Sequence, residues 1–195
     1  MGFKEPNFIQ VGLLMFVADI LARSAYRKLI NRLDLKGNES VLDFGSGSGA
    51  ASKYIAQDLL KGNGRLTCVD MSKVWMKIIK KKLKKYPHVE FKLGDISEID
   101  IDGGSYDVIL INFVLHDVEE GVRQRTVNAL SRALKETGKL YIKEPTSKFH
   151  GMPAEQIREL MKRGGLKEVS SKIDRSFGGP PGPKYAGVFV GSQGS

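Results

Sequence analysis

Three glycines directly follow a short apolar run that contains an acid. In the sequence VLDFGSGSG, Gly45, Gly47 and Gly49 alternate with serines. Because glycine has no Cβ, this spacing lets the backbone take positive φ values and lets a bound molecule approach it closely. The pattern over residues 41–52 is typical of a strand, a ligand-binding turn and the start of a helix.

Acidic residues lie beside this turn and after the next two apolar runs. Asp43 lies two positions before the first glycine, Asp70 ends the run RLTCVD, and Asp95 follows the third run. In open α/β sheets, ligands bind at the carboxyl ends of the strands. Several carboxylates at that edge would repel a phosphate-rich ligand and attract hydroxyl groups, amines or a cation. These residues favour a positively charged ligand that carries a ribose.

A dinucleotide site is the alternative interpretation of the same residues. Gly45, Gly47 and Ala50 fit the pattern G-x-G-x-x-G/A, and Asp70 fits the acid that binds a ribose. A carboxylate at Asp43 would be electrostatically unfavourable beside a pyrophosphate. The glycines alone leave both interpretations open.

Predicted strands and helices alternate along the chain. Strands are predicted over residues 41–44, 65–70, 89–93, 106–113, 139–144, 166–173 and 185–190, and helices over residues 11–33, 49–60, 71–86, 119–136 and 153–163. The alternation predicts an α/β fold with a doubly wound, mostly parallel sheet of seven strands, preceded by an N-terminal helix. No helix separates the last two strands, which predicts a C-terminal antiparallel strand.

The length and composition are those of one globular domain. The chain has 195 residues, of which 41% are hydrophobic and 27% are charged. We predict a single domain with an N-terminal helical segment (residues 1–34), a core (residues 35–190) and a frayed tail (residues 191–195).

The chain is basic, with 31 basic and 22 acidic residues and a net charge of +9. Within residues 71–86, five lysines share one predicted helix face: Lys77, Lys80, Lys81, Lys84 and Lys85. Such a face is typical of a solvated surface, and a phosphate-contacting surface is the second interpretation. Nucleic acid is therefore a less favoured partner.

The single cysteine and the N-terminal apolar segment bear on location. Cys68 allows neither an internal disulfide nor a cysteine-cluster metal site, which suits a reducing cytoplasm. The apolar residues 9–22 are interrupted by Asp19 and are fewer than the roughly 20 that span a bilayer. We therefore expect a cytoplasmic protein without a transmembrane segment.

Four motifs taken together resemble the class I S-adenosylmethionine-dependent methyltransferases. They are VLDFGSGSG, TCVDMS, KLGDIS and YDVILINFVLHDV, in the order and approximate spacing of that family. The resemblance covers the chain from about Leu35 onward and is closest to small-molecule enzymes of the ubiquinone/menaquinone-biosynthesis type. It implies a Rossmann-like fold, S-adenosylmethionine as cofactor, S-adenosylhomocysteine as product and a small-molecule acceptor.

The resemblance also implies roles for cofactor-binding residues. At the methionine end, Asp43 would lie near the amino group, and Asn112 would also contribute. Asp70 would hold the ribose hydroxyls, and the methionine and ribose would be lined by Gly45, Gly47 and Gly49. At the adenine, Met71 would pack on the ring, Asp95 would accept from the amine, and the Ile96 backbone would meet a ring nitrogen.

His116 is the candidate catalytic residue. It follows the fourth predicted strand with Asp117, where a histidine can accept a proton from an acceptor hydroxyl. The alternative is that His116 only shapes the pocket, because transfer from a sulfonium depends more on alignment than on a strong base. His150 is a weaker candidate. Asp117 with Glu144 is too sparse for a metal site, so no metal is expected.

The segment after the fourth strand argues against two subfamilies. Residues 112–115 read NFVL, without the Asp/Asn-Pro-Pro-aromatic motif or the cysteine of base-modifying relatives.

The favoured function is methyl transfer to a small molecule. The alternatives are an RNA or protein methyltransferase that uses the lysine face, a non-catalytic cofactor-binding domain and a nicotinamide-binding protein. The GGPPGP loop (residues 178–183) and the N-terminal helix are expected to cover the acceptor.

Overall fold

Buried strands with apolar side chains form the core of the fold, as their residue types predict. A computed structural model describes residues 23–147, 150–174, 180 and 182–191. The chain divides into two compact units, Met1–Asp95 and Ile96–Ser195.

The first unit contains the strands β1 (Ser40–Phe44), β2 (Arg65–Asp70) and β3 (Val89–Leu93) and the helices α1 (Arg23–Asn31), α2 (Ser52–Leu59) and α3 (Lys73–Leu83). The three strands are parallel and lie in the order β3-β2-β1. Four consecutive residues of β1 and five of β2 are buried. Such continuous burial explains their unbroken apolar runs, because parallel strands are covered on both faces.

The second unit contains, in chain order, β4 (Tyr106–Asn112), α4 (Glu120–Ala133), β5 (Leu134–Ser147), β6 (His150–Gly151), α5 (Ala154–Arg163), β7 (Leu166–Asp174) and β8 (Lys184–Gly191). Four of its strands lie in the order β4-β5-β8-β7, and the two-residue strand β6 pairs with β5. Strand β4 is parallel to β5, and β8 is antiparallel to both of its neighbours. This arrangement confirms the predicted antiparallel strand at the C-terminal end.

The predicted boundary between α4 and β5 is wrong. The helix ends at Ala133 and the strand begins at Leu134, whereas the sequence predicted a helix to residue 136 and a strand from residue 139. Leu134 has an extended backbone and pairs with Tyr106 of β4. Gly138 lies within β5. A Cβ there would lie 2.9 Å from the Tyr106 carbonyl oxygen, so close packing against β4 requires the glycine.

Helices α2, α3 and α5 are shorter than predicted. Helix α3 starts after Ser72, whose hydroxyl accepts a hydrogen bond from the Trp75 N–H, a normal N-cap. Of the predicted helix over residues 11–33, the helix Arg23–Asn31 is observed, and residues 11–22 lie outside the described part. None of the helices in the described ranges is long and apolar enough to cross a membrane.

Candidate active site

The glycine turn after β1 is fixed to the end of β2. The N–H groups of Gly45 and Ser46 donate to the Val69 carbonyl at 2.9 and 3.0 Å. The Gly47 N–H donates to the Asp70 carboxylate at 2.7 Å. Gly47 has a φ of +50°, and the nearest atom to a Cβ placed there is the Gly45 carbonyl oxygen at 3.9 Å. The turn therefore leaves open space beside Gly47.

Gly49 has a packing role that the sequence did not reveal. Its φ is +73°, and a Cβ at this position would lie 2.6 Å from Cγ1 of Ile79 on α3. The helix therefore packs against the backbone of the turn, where only glycine fits. Contact of Gly49 with a ligand stays a prediction.

Asp70 joins the glycine turn to the start of α3. One carboxylate oxygen accepts from Gly47 N–H, and the other accepts from Ser72 N–H at 2.8 Å. These charge-assisted bonds explain why a carboxylate is stable at a buried strand end. They also fix the direction of the carboxylate, and its predicted contact with a ribose stays a prediction.

Asp43 is buried at the carboxyl end of β1. The Ser52 hydroxyl at the start of α2 donates to its carboxylate at 2.6 Å. Burial raises the pKa of Asp43 from 3.8 to about 7; the Ser52 hydrogen bond opposes this shift, and the negative charge of Asp70 adds to it. An adjacent cation would stabilise the ionised form. Ser52, which the sequence did not single out, is the partner that holds this carboxylate.

Two other predicted residues of the first unit lie near Asp70 in the chain. Met71 is 48% exposed, so a flat apolar ligand surface can reach it. Asp95 is half-buried and follows Gly94, whose N–H donates to the Asp70 carbonyl at 3.0 Å. The turn before Asp95 is thus tied to the end of β2.

Ile96 and Asn112 belong to the second unit. Ile96 is buried. Asn112 ends β4, and its side-chain oxygen is buried and has no hydrogen-bond partner within the described ranges. A buried acceptor of this kind is costly unless a donor reaches it. Asn112 is therefore suited to receive a donor group from a ligand.

Glu144 organises the loop that follows β4. It is fully buried, and one carboxylate oxygen accepts from the N–H groups of Val114 and Leu115 at 2.8 and 2.7 Å. The other oxygen lies 2.6 Å from Nδ1 of His116. The sequence indicated Glu144 only as a weak candidate for a metal site; an acid at the end of a predicted strand was the signal for a larger role.

Phe113 and Arg123 hold the two ends of this loop. Phe113 has a φ of +60°, a conformation that is strained for a bulky residue, and its N–H donates to the Lys143 carbonyl at 2.8 Å. Arg123 of α4 donates to the carbonyls of His116 and Val118, both at 2.9 Å. The loop is thus fixed before any ligand binds.

His116 lies between two carboxylates. Nδ1 meets Glu144, and Nε2 is 3.5 Å from the Asp117 carboxylate. Burial lowers the pKa of His116, but the hydrogen bond and charge of Glu144, with the charge of Asp117, raise it above its ordinary value overall. Glu144 can only accept when ionised, so Nδ1 carries the proton in this pair and Nε2 is the nitrogen that can exchange one.

Some predicted features lie outside the described part of the chain or only partly within it. The His150 side chain is outside it, as are residues 178, 179 and 181 of the GGPPGP loop. At the end of that loop, the Pro183 carbonyl accepts from both the N–H and the hydroxyl of Thr146 at 3.0 Å. In the described ranges, no group of three or more His, Cys, Asp or Glu is arranged to hold a metal ion.

Comparison with known proteins defines the class. The family model for the methyltransferase domain matches residues 41–138, half of the chain. The S-adenosylmethionine-dependent TehB-like methyltransferase of Corynebacterium glutamicum has a TM-score of 0.75 at 19% identity, over 95% of this chain and 100% of its own. The N-methyltransferase NodS of Bradyrhizobium japonicum, solved with S-adenosylhomocysteine, has a TM-score of 0.74 at 17% identity, over 90% of this chain and 89% of its own. These likenesses confirm the predicted Rossmann-like α/β fold.

Sequence similarity gives the family. Arsenite methyltransferase of Rattus norvegicus is 31% identical in an alignment 150 positions long, which covers 71% of this chain and 40% of that protein. The chain belongs to the methyltransferase-domain family. Membership agrees with the predicted methyltransferase class. The chain spans less than half of the length of the curated relatives it matches.

Proposed function

We propose that this chain transfers the methyl group of S-adenosylmethionine to a small-molecule acceptor. The observation that carries the proposal is Asp43, a buried carboxylate with its pKa raised to about 7 beside an open glycine turn. The cofactor carries an ammonium group, and this cation would stabilise ionised Asp43. When bound, the cofactor supplies an electrophilic methyl group on a sulfonium.

The residues present fit this cofactor. In our proposal, Asp43 binds the amino group, Asp70 binds the ribose hydroxyls, and the open space beside Gly47 admits the cofactor. Exposed Met71 packs on the adenine, and the unsatisfied Asn112 oxygen accepts a donor at the methionine end. Gly45, Gly49, Asp95 and the Ile96 backbone keep the roles that the sequence predicted.

We also propose that His116 receives the acceptor's proton at Nε2. Glu144 fixes the ring through Nδ1 and raises the pKa of His116, which makes the neutral imidazole a stronger base. The Asp117 side chain is 70% exposed, so it can move aside when an acceptor approaches Nε2. This arrangement suits an acceptor with an O–H or N–H group.

Similar proteins support a small acceptor without naming it. The name of one of them, arsenite methyltransferase, gives an acceptor that is not a macromolecule. We do not propose arsenite itself, because the chain offers no accessible thiolate as a ligand for it. Cys68, the only cysteine in the sequence, is fully buried in β2. Burial raises the pKa of its thiol, and the negative charge of Asp43 raises it further. The ubiquinone/menaquinone-type acceptor stays a prediction.

One observation favours a second candidate, an RNA or protein acceptor. The five lysines of the face on and just after α3 are all exposed, and residues 71–89 contain no acid. A surface of this kind attracts polyanions. Binding of RNA through it would weaken steeply with salt.

The test is calorimetry with S-adenosylmethionine, S-adenosylhomocysteine and NAD, followed by incubation with labelled cofactor and either a metabolite extract or total RNA. We expect the first two ligands to bind and NAD not to bind, with label transferred to small molecules. Binding of NAD alone would overturn the proposal. Label found only in RNA, and lost when the five lysines are changed to glutamine, would establish the second candidate instead.

A further inference from the structure

Arg123 binds the same loop as Glu144, but through the opposite kind of backbone group. Its guanidinium donates to the carbonyls of His116 and Val118, both at 2.9 Å. Glu144 instead accepts from two N–H groups that come earlier in the loop. The cation comes from α4 and the anion from β5, so two separate elements of the second unit fix this loop.

Together these bonds restrain His116 on both sides of its Cα. On the N-terminal side, the N–H of the neighbouring Leu115 donates to Glu144 at 2.7 Å. On the C-terminal side, the carbonyl of His116 itself accepts from Arg123. The ring is fixed at Nδ1, which lies 2.6 Å from Glu144. The direction of Nε2 therefore depends on Arg123 as well as on Glu144.

Arg123 is placed by a rigid element. It lies in the first turn of α4, and its N–H donates to the Glu119 carbonyl at 3.2 Å. The helix is held in place by fully buried side chains such as Val127 and Leu130. Arg123 is half-buried, and a planar guanidinium can bind two carbonyls at once in a fixed geometry. Its contact with the loop is thus part of the packed structure.

The charge of Arg123 also acts on the His116 ring. Burial lowers the pKa of His116, Glu144 and Asp117 raise it, and the positive charge of Arg123 lowers it. These three charged groups come from β5, the loop itself and α4. A base must be neutral before it can accept a proton, so Arg123 extends the neutral form of the ring to lower pH.

We propose that Arg123 is a positioning residue for His116, which holds the loop so that Nε2 faces the acceptor and which favours the neutral imidazole. This inference rests on the proposed function, because it needs His116 to receive the acceptor's proton. That proton passes from the O–H or N–H of the acceptor to Nε2, while Nδ1 keeps its own proton towards Glu144. Arg123 itself acts only through His116.

The test compares Arg123→Met with Arg123→Lys. The pKa of His116 is measured by NMR titration of the ring protons, with the signal assigned by its loss in His116→Gln. Arg123→Met should raise this pKa, because the positive charge is lost, and Arg123→Lys should leave it near the wild-type value. A purely structural role would not separate the two variants in this way.

The rate of label transfer from S-adenosylmethionine to a metabolite extract is the second measurement. In Arg123→Met the rise of the rate with pH should move to higher pH. On the plateau above this rise the rate should still be about tenfold lower or more, because the base is no longer aligned. Arg123→Lys should also lose rate on the plateau, since an ammonium group lacks the planar fork that binds two carbonyls.

Arg132→Met is the matched control, since it removes an exposed arginine from the last turn of the same helix. It should change neither the pKa of His116 nor the rate. An unchanged pKa in Arg123→Met, or an unchanged plateau rate, would overturn the inference, as would equal effects in Arg132→Met. If Arg123→Met does not fold, Arg123→Gln decides: it keeps an N–H donor without the charge, and an unchanged pKa rejects the inference.

S-adenosylhomocysteine binding separates this inference from the proposed function. We expect Arg123→Met to bind this ligand as the wild type does. If the wild type binds it and the pKa of His116 does not respond to Arg123, the role of Arg123 alone is refuted. If the wild type does not bind it, the proposed function fails, and a response of the pKa to Arg123 then has no bearing on methyl transfer.

Discussion

The carboxylate of Glu144 and the imidazole of His116 meet at 2.6 Å, although 28 residues separate them in the chain. The same carboxylate binds the backbone of Val114 and Leu115, so one buried acid sets both the loop and the ring. Its role is to position the candidate base, because nothing places it against the acceptor itself.

Changing Glu144 to Gln should lower the pKa of His116, since the ring loses a charged hydrogen-bond partner. NMR titration of the histidine ring protons measures this directly. If His116 acts as a base, activity of the wild type rises with pH through this raised pKa, and the rise should move to lower pH in the variant. With an acceptor in hand, kcat should fall about tenfold or more, with little change in the KM for the cofactor.

Asp117→Asn is the control for that variant. It removes the exposed carboxylate 3.5 Å from Nε2 and should shift the pKa of His116 less, because water screens the exposed charge. A Glu144→Gln protein with an unchanged histidine titration would show that Glu144 does not control His116.

Asp43 should make the free enzyme less stable as pH rises. Its pKa is 3.8 in the unfolded reference and about 7 in the fold, so between these values the folded state holds a proton that the unfolded state has lost. The free energy of unfolding should therefore decrease over this range, by on the order of 4 kcal/mol for this group. Urea unfolding of the wild type and Asp43→Asn from pH 4 to pH 7 measures the difference.

The same carboxylate should make cofactor binding depend on pH. S-adenosylhomocysteine carries an ammonium group that favours ionised Asp43, so its affinity should rise up to about pH 7 and then level off. Asp43→Asn should bind weakly at every pH. If the free energy of unfolding and the affinity for S-adenosylhomocysteine changed with pH equally in the wild type and in Asp43→Asn, both predictions for Asp43 would be contradicted.

Asp70→Ala should weaken cofactor binding and also destabilise the fold. The substitution leaves the N–H groups of Gly47 and Ser72 without their acceptor, which costs about 1–3 kcal/mol for the buried Ser72 group and less for the half-buried Gly47 group. Thermal unfolding and calorimetry with S-adenosylhomocysteine measure the two effects. Asp70→Asn keeps one side-chain carbonyl and should recover part of the stability but little of the affinity.

Asp102→Asn is the matched control, because Asp102 is an exposed acid that is not assigned to the site. It should change neither stability nor affinity. An Asp70→Ala protein that is destabilised but binds S-adenosylhomocysteine normally would limit Asp70 to a structural role.

The sequence predicted the structure best where an element is determined by neighbouring residues in the chain. The bounds of β2 and β3, residues 65–70 and 89–93, are confirmed, because each is a short run set off by turn residues. The end of α4 was wrong because Leu134 leaves the helix to pair with Tyr106, a contact that periodicity does not encode. Glu144 was missed as a positioning residue because its partners lie 28 to 30 residues away.

The same difference between local and long-range determinants applies to the predicted cofactor residues. Asp43 and Asp70 could be singled out because both end strands beside a glycine turn. Ser52, which holds Asp43, and Ile79, which explains Gly49, could not be singled out, because their importance depends on the packing of α2 and α3 against the turn.

Gly47 and Gly49 should respond differently to the same substitution. Both have positive φ values, +50° and +73°, so Ala costs about 1 kcal/mol of backbone strain at either position. At Gly49 the added Cβ also meets Ile79 Cγ1 at 2.6 Å, and the free energy of unfolding should fall by a further 1–3 kcal/mol, roughly the cost of overpacking a core. Urea unfolding measures both.

The Gly47→Ala protein should keep most of its stability, because the nearest atom to the new Cβ is 3.9 Å away. It should lose affinity for S-adenosylhomocysteine, since the methyl group occupies the open space beside the turn. Adding Ile79→Ala to Gly49→Ala should remove the steric part of the loss and leave the strain, giving a favourable coupling energy in the double-mutant cycle. A Gly47→Ala protein with full affinity would show that the cofactor does not approach the turn at this residue.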